Sequence, residues 1–380
     1  MNPVDAGIGG CPADSLLAAM RAALRSAPAV ARDEPFPHAW WQHLAGRGML
    51  GVGFDAARGA GRADWPGIAA LAGVIAHETA RLGLALAWLM NEMLGRFVIG
   101  PVAGNDDHRD LLRLMAQGRK IVALAVSEPK AGAHPKLLQC SARRAGGQWL
   151  LDGDKAWVSN GPAADALVVV AVTGENTGRK HFDAFVVDAD AAGLSRTPTG
   201  SAAVLPPLGH CGLSLAACAV ADARRLDAGG DAFERIARPM RALEDSLLAG
   251  ATVGAMRAEL EALARHAGDP APETVARLGA LRLELQAIEA LAAECARELG
   301  RHGPGEHVAD LNAGVRIVLQ RWQAACETFA AALVEPSAEF SDLASDVRAV
   351  LGIARRVGEA RHMKAGLRMI SSKETHEVPA

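Results

Sequence analysis

Apolar and polar positions alternate with three different rhythms along this chain. From Asp14 to about Gln117 apolar residues recur every three to four positions, as in Ser15-Leu-Leu-Ala-Ala-Met-Arg21 and again from Ile68 through Leu94. That spacing predicts amphipathic helices. The glycine-rich stretch Gly51-Val-Gly-Phe-Asp-Ala-Ala-Arg-Gly-Ala-Gly61 interrupts them and reads as a loop. From Lys120 to about Asp227 the rhythm becomes short runs of Val, Leu and Phe bounded by Gly, Asp, Asn and Pro, which predicts a small antiparallel sheet. Gly146-Gly147 supplies the positive φ of a tight hairpin turn there, with strands at Ala166-Leu-Val-Val-Val-Ala-Val172 and from Phe182. From Asp231 onward long Ala/Leu/Arg/Glu segments predict four helices over roughly 233–267, 272–301, 305–334 and 341–371, an up-down bundle. The expected organisation is α+β: a helical domain over 1–119, a β domain over 120–230 and a four-helix bundle over 231–380.

Composition narrows the function classes. The chain has 380 residues, 50% of them hydrophobic and 22% charged, enough apolar material for several packed layers. A formal net charge of -3 without long blocks of one sign gives no electrostatic case for nucleic acid or an anionic membrane surface. Cys11, Cys140, Cys211, Cys218, Cys295 and Cys326 show no C-x-x-C spacing, and the start carries no positive-apolar-small leader pattern. A cytoplasmic protein with reduced thiols is the expectation. Apolar runs such as Leu82 to Met90 fall short of the roughly 20 residues of a bilayer span, so no membrane segment is expected. The histidines form no H-E-x-x-H or similar ligand spacing, so no metal is expected. Tyrosine is absent altogether, which excludes a phenol from any mechanism.

Two stretches in the middle carry chemistry: Ala125-Val-Ser-Glu-Pro-Lys-Ala-Gly132 and Asp152-Gly-Asp-Lys-Ala-Trp-Val-Ser-Asn-Gly161. In this order and spacing they resemble the β domain of the acyl-CoA dehydrogenase family, and the helical, sheet, bundle order is that of its fold. The resemblance implies FAD held by Val126 and Ser127 at the pyrimidine edge, Gly132 near the pyrophosphate, Trp157 over a flavin face and Ser159 at flavin N5. Read from the residues alone, Ser127-Glu-Pro also makes an ordinary turn, and Trp157 also suits a sheet core. Leu208-Gly209-His210-Cys211-Gly212 stands where the family has a Leu-Gly-x-Arg turn, with Cys211 in place of the arginine.

A third segment, Met240 to Gly254, resembles the one in which isovaleryl- and long-chain-type members carry their base, which falls on Glu244. A carboxylate there can remove the proton α to a thioester, since burial raises its pKa toward neutrality. A glutamate near a helix start is also what the helix dipole favours. Asp245 stands where the family has a CoA-binding arginine. The late Tyr-Glu-Gly-Thr base motif is absent, its carboxylate position falling on Ala354 or, in another register, Asp342. Arg-x-x-Phe-Gly falls on Pro270 to Thr274 and Gly-Gly-x-Gly near Glu335 to Ala338, neither present. Arg238, Arg241 and Arg265 are the candidates to replace the lost positive charge.

The resemblance implies α,β-dehydrogenation of an acyl thioester on CoA or a carrier protein. It also implies an electron-transferring flavoprotein as acceptor, and a homo-oligomer or an oligomer with a related chain. A partner subunit that has lost flavin or catalysis, and a flavin monooxygenase-type relative, are the alternatives.

Overall fold

A computed structural model describes residues 12–55, 61–198, 205–227, 229–268, 270–333, 337–353 and 355–374. The first layer is helical: α1 (Pro12–Arg25), α2 (His38–Gly46), α3 (Trp65–Thr79), α4 (Leu82–Met93) and α5 (Asp106–Ala116). The Asp64 carboxylate caps α3 by accepting the Gly67 N–H at 2.9 Å, and Ala80, at φ 51°, stops it. The periodic run from Ile68 to Leu94 is therefore two helices rather than one. A π turn (Leu94–Ile99) and a 3-10 turn (Gly100–Val102) prolong α4. The resulting stretch Leu82–Val102 is, by length and composition, apolar enough to cross a membrane, which the shorter run seen in sequence did not suggest. Of its most apolar window, 83% is buried inside the protein, as befits a core helix.

The sheet has strands β1 (Val122–Ala125), β2 (Ser141–Ala145), β3 (Gln148–Ser159), β4 (Ala166–Asn176), β5 (Arg179–Asp188), β6 (Leu194–Pro198) and β7 (His210–Ala221). They are ordered β1-β4-β2-β3-β7-β6, with β5 on β4. Most pairs are antiparallel, as the short hairpins predict, but β1 runs parallel to β4, so the sheet is mixed. Gly146 (φ 59°) and Gly147 (φ 82°) make the expected β2–β3 turn. The unbroken apolar run that starts β4 reflects burial on both faces. Ala166, Val168 and Val170 enter the large helical core, whereas Leu167, Val169 and Ala171 enter a smaller one with Trp149 and Phe185.

The last layer comprises α6 (Arg238–His266), α7 (Pro272–His302), α8 (Glu306–Leu333), α9 (Ala338–Gly352) and α10 (Arg355–Glu374). The fourth expected helix is thus two, broken after Gly352. Helix α6 is the axis of the molecule, packed on α3, α7, α8 and α9. Glycines allow the α3–α6 crossing: a Cβ at Gly254 would lie 2.1 Å from the Gly73 carbonyl oxygen, and one at Gly250 2.5 Å from that of Ala69. Between α6 and α8, buried Asn312 donates to the Ala242 carbonyl and the Ser246 hydroxyl, both at 2.9 Å.

Candidate active site

The two middle motifs are fastened together by a buried ion pair. Glu128, in the loop after β1, accepts the N–H groups of Gln139 (2.7 Å) and Cys140 (2.9 Å) and the Lys155 ammonium (3.0 Å). Lys155 also donates to the Val126 carbonyl at 3.0 Å, and the Ala156 N–H to the Ser127 carbonyl at 2.8 Å. The tip of β1 and the middle of β3 are thereby held side by side. The Lys155–Glu128 pair has ligands for every charge, which is what makes a buried pair tolerable. In sequence Lys155 and Glu128 read only as motif letters.

Two residues after Lys155, Trp157 is presented unusually. The β3–β7 register shifts between Lys155 and Val158, and Trp157 sits at φ 58°, a conformation costly for a bulky residue. Its indole is 61% exposed, so it does not fill the sheet core. Asn160, also at φ 58°, is buried and ties the end of β3 to the Ala87 carbonyl of α4 (3.2 Å) and, through its N–H, to Gly209 (3.0 Å). Ser159 pairs with His210 at the start of β7. Cys211 is buried with its thiol pKa raised by that burial, and its sulfur would lie 2.4 Å from a Cβ at Gly161. It packs the turn and does not replace an arginine.

Ser127 and Ser159 are both half-buried, and neither hydroxyl bonds to another group among the described residues. Gly132, at φ 57°, closes its loop on Glu128, and a Cβ there would meet nothing within 4 Å. An exposed indole, two hydroxyls without partners among the described residues and open space over the loop fit the flat ring of the flavin that the motifs imply. The diphosphate end fares differently. Arg238 is bonded to Glu234 (2.8 Å), Arg241 to Asp245 (2.8 Å) and Arg265 to Glu339 (2.9 Å), so all three candidate cations are already engaged.

Glu244 lies apart from these groups, on the second turn of α6, with 29% of its side chain exposed. Its charge partner is Arg241 on the same helix, at 3.9 Å. Burial raises its pKa and Asp245 adds to the rise, while Arg241 and Arg316 oppose it. No hydrogen bond or ion pair among the described residues joins Glu244 to β1 or β3. Sequence reasoning missed Arg316, which donates to Asp245 at 2.6 Å from 71 positions away, a separation that leaves no local signal. Of the alternative base positions, Asp342 is paired with Arg32 at 3.2 Å. Ala354 and Glu335 lie outside the described residues, as do Cys11 and the end of the tail from 375.

Residues 123–218, the segment that carries both motifs, match the family description "Acyl-CoA dehydrogenase, middle domain". This stretch of the chain is an acyl-CoA dehydrogenase middle domain. Among curated relatives, the mitochondrial isovaleryl-CoA dehydrogenase of Arabidopsis thaliana is 31% identical over 147 residues, 39% of this chain and 36% of that protein. The match therefore spans about a third of the relative's length. The fold extends much further than the sequence likeness. A glutaryl-CoA dehydrogenase from Mycobacterium smegmatis, solved in complex with FADH2, superposes with TM-score 0.75 over 90% of this chain and 91% of its own at 17% identity. The prolyl acyl carrier protein oxidase AnaB does so with TM-score 0.75 over 90% and 94% at 19% identity.

Proposed function

We propose that the chain as a whole is an acyl-CoA dehydrogenase-type protein, an FAD-dependent dehydrogenase of an acyl thioester, with Glu244 as the base. The observation that carries the reading is Trp157, an exposed indole on a strained backbone two residues after the Lys155 of the buried ion pair, together with the hydroxyls of Ser127 and Ser159, which have no partner among the described residues. Strain of that kind is retained where the surrounding structure imposes it for a task. Trp157 would cover one face of the flavin ring, with Val126, Ser127 and Ser159 at its polar edge. When bound, FAD supplies the acceptor for the hydrogen and electron pair that leave the β carbon. Glu244 accepts the α proton; its shielding from water raises its basicity, and its partial exposure leaves a path for substrate.

Asp245 bears on the carrier. Its carboxylate holds two guanidiniums, so neither Arg241 nor Arg316 is free to meet the phosphates of CoA, and a phosphopantetheine on a carrier protein suits the site better. Family likeness supports a homo-oligomer and an electron-transferring flavoprotein as acceptor. A second reading, a partner subunit without its own flavin, draws on the engagement of Arg238, Arg241 and Arg265.

The visible spectrum after reconstitution with FAD and desalting tests the proposal. Retained absorption near ~450 nm, lost in Trp157→Ala, is expected. Bleaching by an acyl thioester, slowed about a thousandfold or more in Glu244→Gln, would support the base. Absence of flavin retention favours the second reading, and undiminished bleaching in Glu244→Gln removes Glu244 from the mechanism.

A further inference from the structure

Glu244 and Asp245 are successive carboxylates on α6, and one guanidinium can reach either. Arg241 is three residues before the first and four before the second, and side chains at both spacings are neighbours on a helix. It engages Asp245 with two donors, Nε at 2.8 Å and Nη2, and stays 3.9 Å from Glu244, beyond hydrogen-bond range. Arg316, from α8, reaches the same aspartate at 2.6 Å. Its other donor, Nη1, is fixed on the carbonyls of Ile353 (2.9 Å) and Leu351 (3.2 Å), where α9 ends. Three acceptors on two elements hold that guanidinium in place.

We infer that Asp245 is a positioning residue that keeps both arginines out of hydrogen-bond range of Glu244, leaving Arg241 as a loose ion partner at 3.9 Å and the carboxylate able to take a proton. The inference rests on the reading of Glu244 as base. Two cations beside a lone carboxylate would bind it bidentately, and such pairing lowers a carboxylate's pKa by about 1–3 units. A carboxylate so held is a poor base near neutral pH. With Asp245 as the preferred partner, Glu244 keeps the basicity that burial gives it.

The charged groups acting on Glu244 are few. From α6 they are Arg241 and Asp245, and from α8 Arg316; among the described residues no charged side chain of α3, α4, α7 or α9 acts on it appreciably. Arg238, a turn earlier, is occupied by Glu234. The substitution of an acid for the arginine expected at 245 is therefore balanced inside the chain by Arg316.

The test is a titration of Glu244 in the flavin-free, full-length protein by carbon-13 NMR with side-chain-labelled glutamate, its signal assigned by loss in Glu244→Gln. In Asp245→Asn the released Arg241 should close on Glu244 and lower its midpoint by about one unit or more. Adding Arg241→Gln to that variant should return the midpoint toward its original position, a rescue that mere loss of packing would not give. Arg241→Gln alone, which leaves Asp245 with Arg316, should move the midpoint by less than about half a unit. An unchanged midpoint in folded Asp245→Asn overturns the inference. A large upward shift in Arg241→Gln alone also overturns it, since Arg241 would then already hold Glu244 as closely as a hydrogen-bonded pair does. Should Asp245→Asn fail to fold, the single Arg241 variant still decides. Turnover is judged separately: full activity in Glu244→Gln would refute the base, while the titration would still report whether Asp245 withholds the arginines.

Discussion

Lys155 places its ammonium 3.0 Å from the Glu128 carboxylate, with both side chains shut away from water. The pair spans 27 positions and joins the two motifs that would receive the flavin. Removing one member of a buried pair leaves the other charge uncompensated, at a cost of about 3–5 kcal/mol. Lys155→Met should lower the denaturant midpoint accordingly, and Lys155→Met combined with Glu128→Leu should cost less than the two single changes added. Strict additivity in the double-mutant cycle would mean that the two groups do not interact.

Trp157 gives a prediction with opposite signs for stability and binding. The residue is 61% exposed and sits at φ 58°. Trp157→Gly relieves the left-handed strain and sacrifices little burial, though it adds chain entropy to the unfolded state. Its unfolding free energy should stay within about 1 kcal/mol of wild type, while flavin retention on desalting disappears. A marked drop in stability would show that the indole supports the sheet.

Gly254 should tolerate nothing larger. The Cβ of Gly254→Ala would lie 2.1 Å from the Gly73 carbonyl oxygen, backbone that cannot yield without moving α3. Overpacking of this kind costs about 1–3 kcal/mol, measurable as an earlier urea transition. Wild-type behaviour would mean that α3 and α6 slide apart freely.

Stability should fall as pH rises across neutrality. Glu259 is fully buried, with burial pushing its pKa from 4.5 to about 8, and Glu92 is raised to about 7 in the same way. Between the unfolded and folded values the native protein binds more protons than the unfolded chain, so unfolding free energy declines with pH in that window. The contribution is complete below the unfolded value and gone above the folded one. In Glu259→Gln the decline between about pH 5.5 and 8.5 should be shallower, read from urea midpoints. An identical slope in the variant would mean that Glu259 does not titrate over this range.

How much of this could be read from the residues depends on how local each cause is. The sheet was legible because strand burial, glycine turns and the two motifs are written within a dozen positions each; the run beginning at Ala166 even signals burial on both faces. The helix boundaries were less so. Apolar spacing continues through Ala80 and past Gly352, so periodicity alone joins α3 to α4 and α9 to α10, and the π turn after Met93 leaves no compositional mark. The charge arrangement was least legible of all. Asp245 alone looks like a lost phosphate contact, and only the fold shows it holding both Arg241 and, from α8, Arg316. Likewise Arg238, Arg241 and Arg265 look available in sequence, and each is bonded to an acid in the fold.

The glycine crossing of α3 and α6 has a practical consequence. The bare faces at Gly73, Gly250 and Gly254 belong to helices that flank the sheet region in sequence, so a fragment cut anywhere in that region exposes a groove shaped for a missing helix. The first and last layers should be expressed and purified together or not at all, and any fusion, tag or split-protein design is better placed at a surface turn such as Gly146-Gly147 than at the junctions between layers.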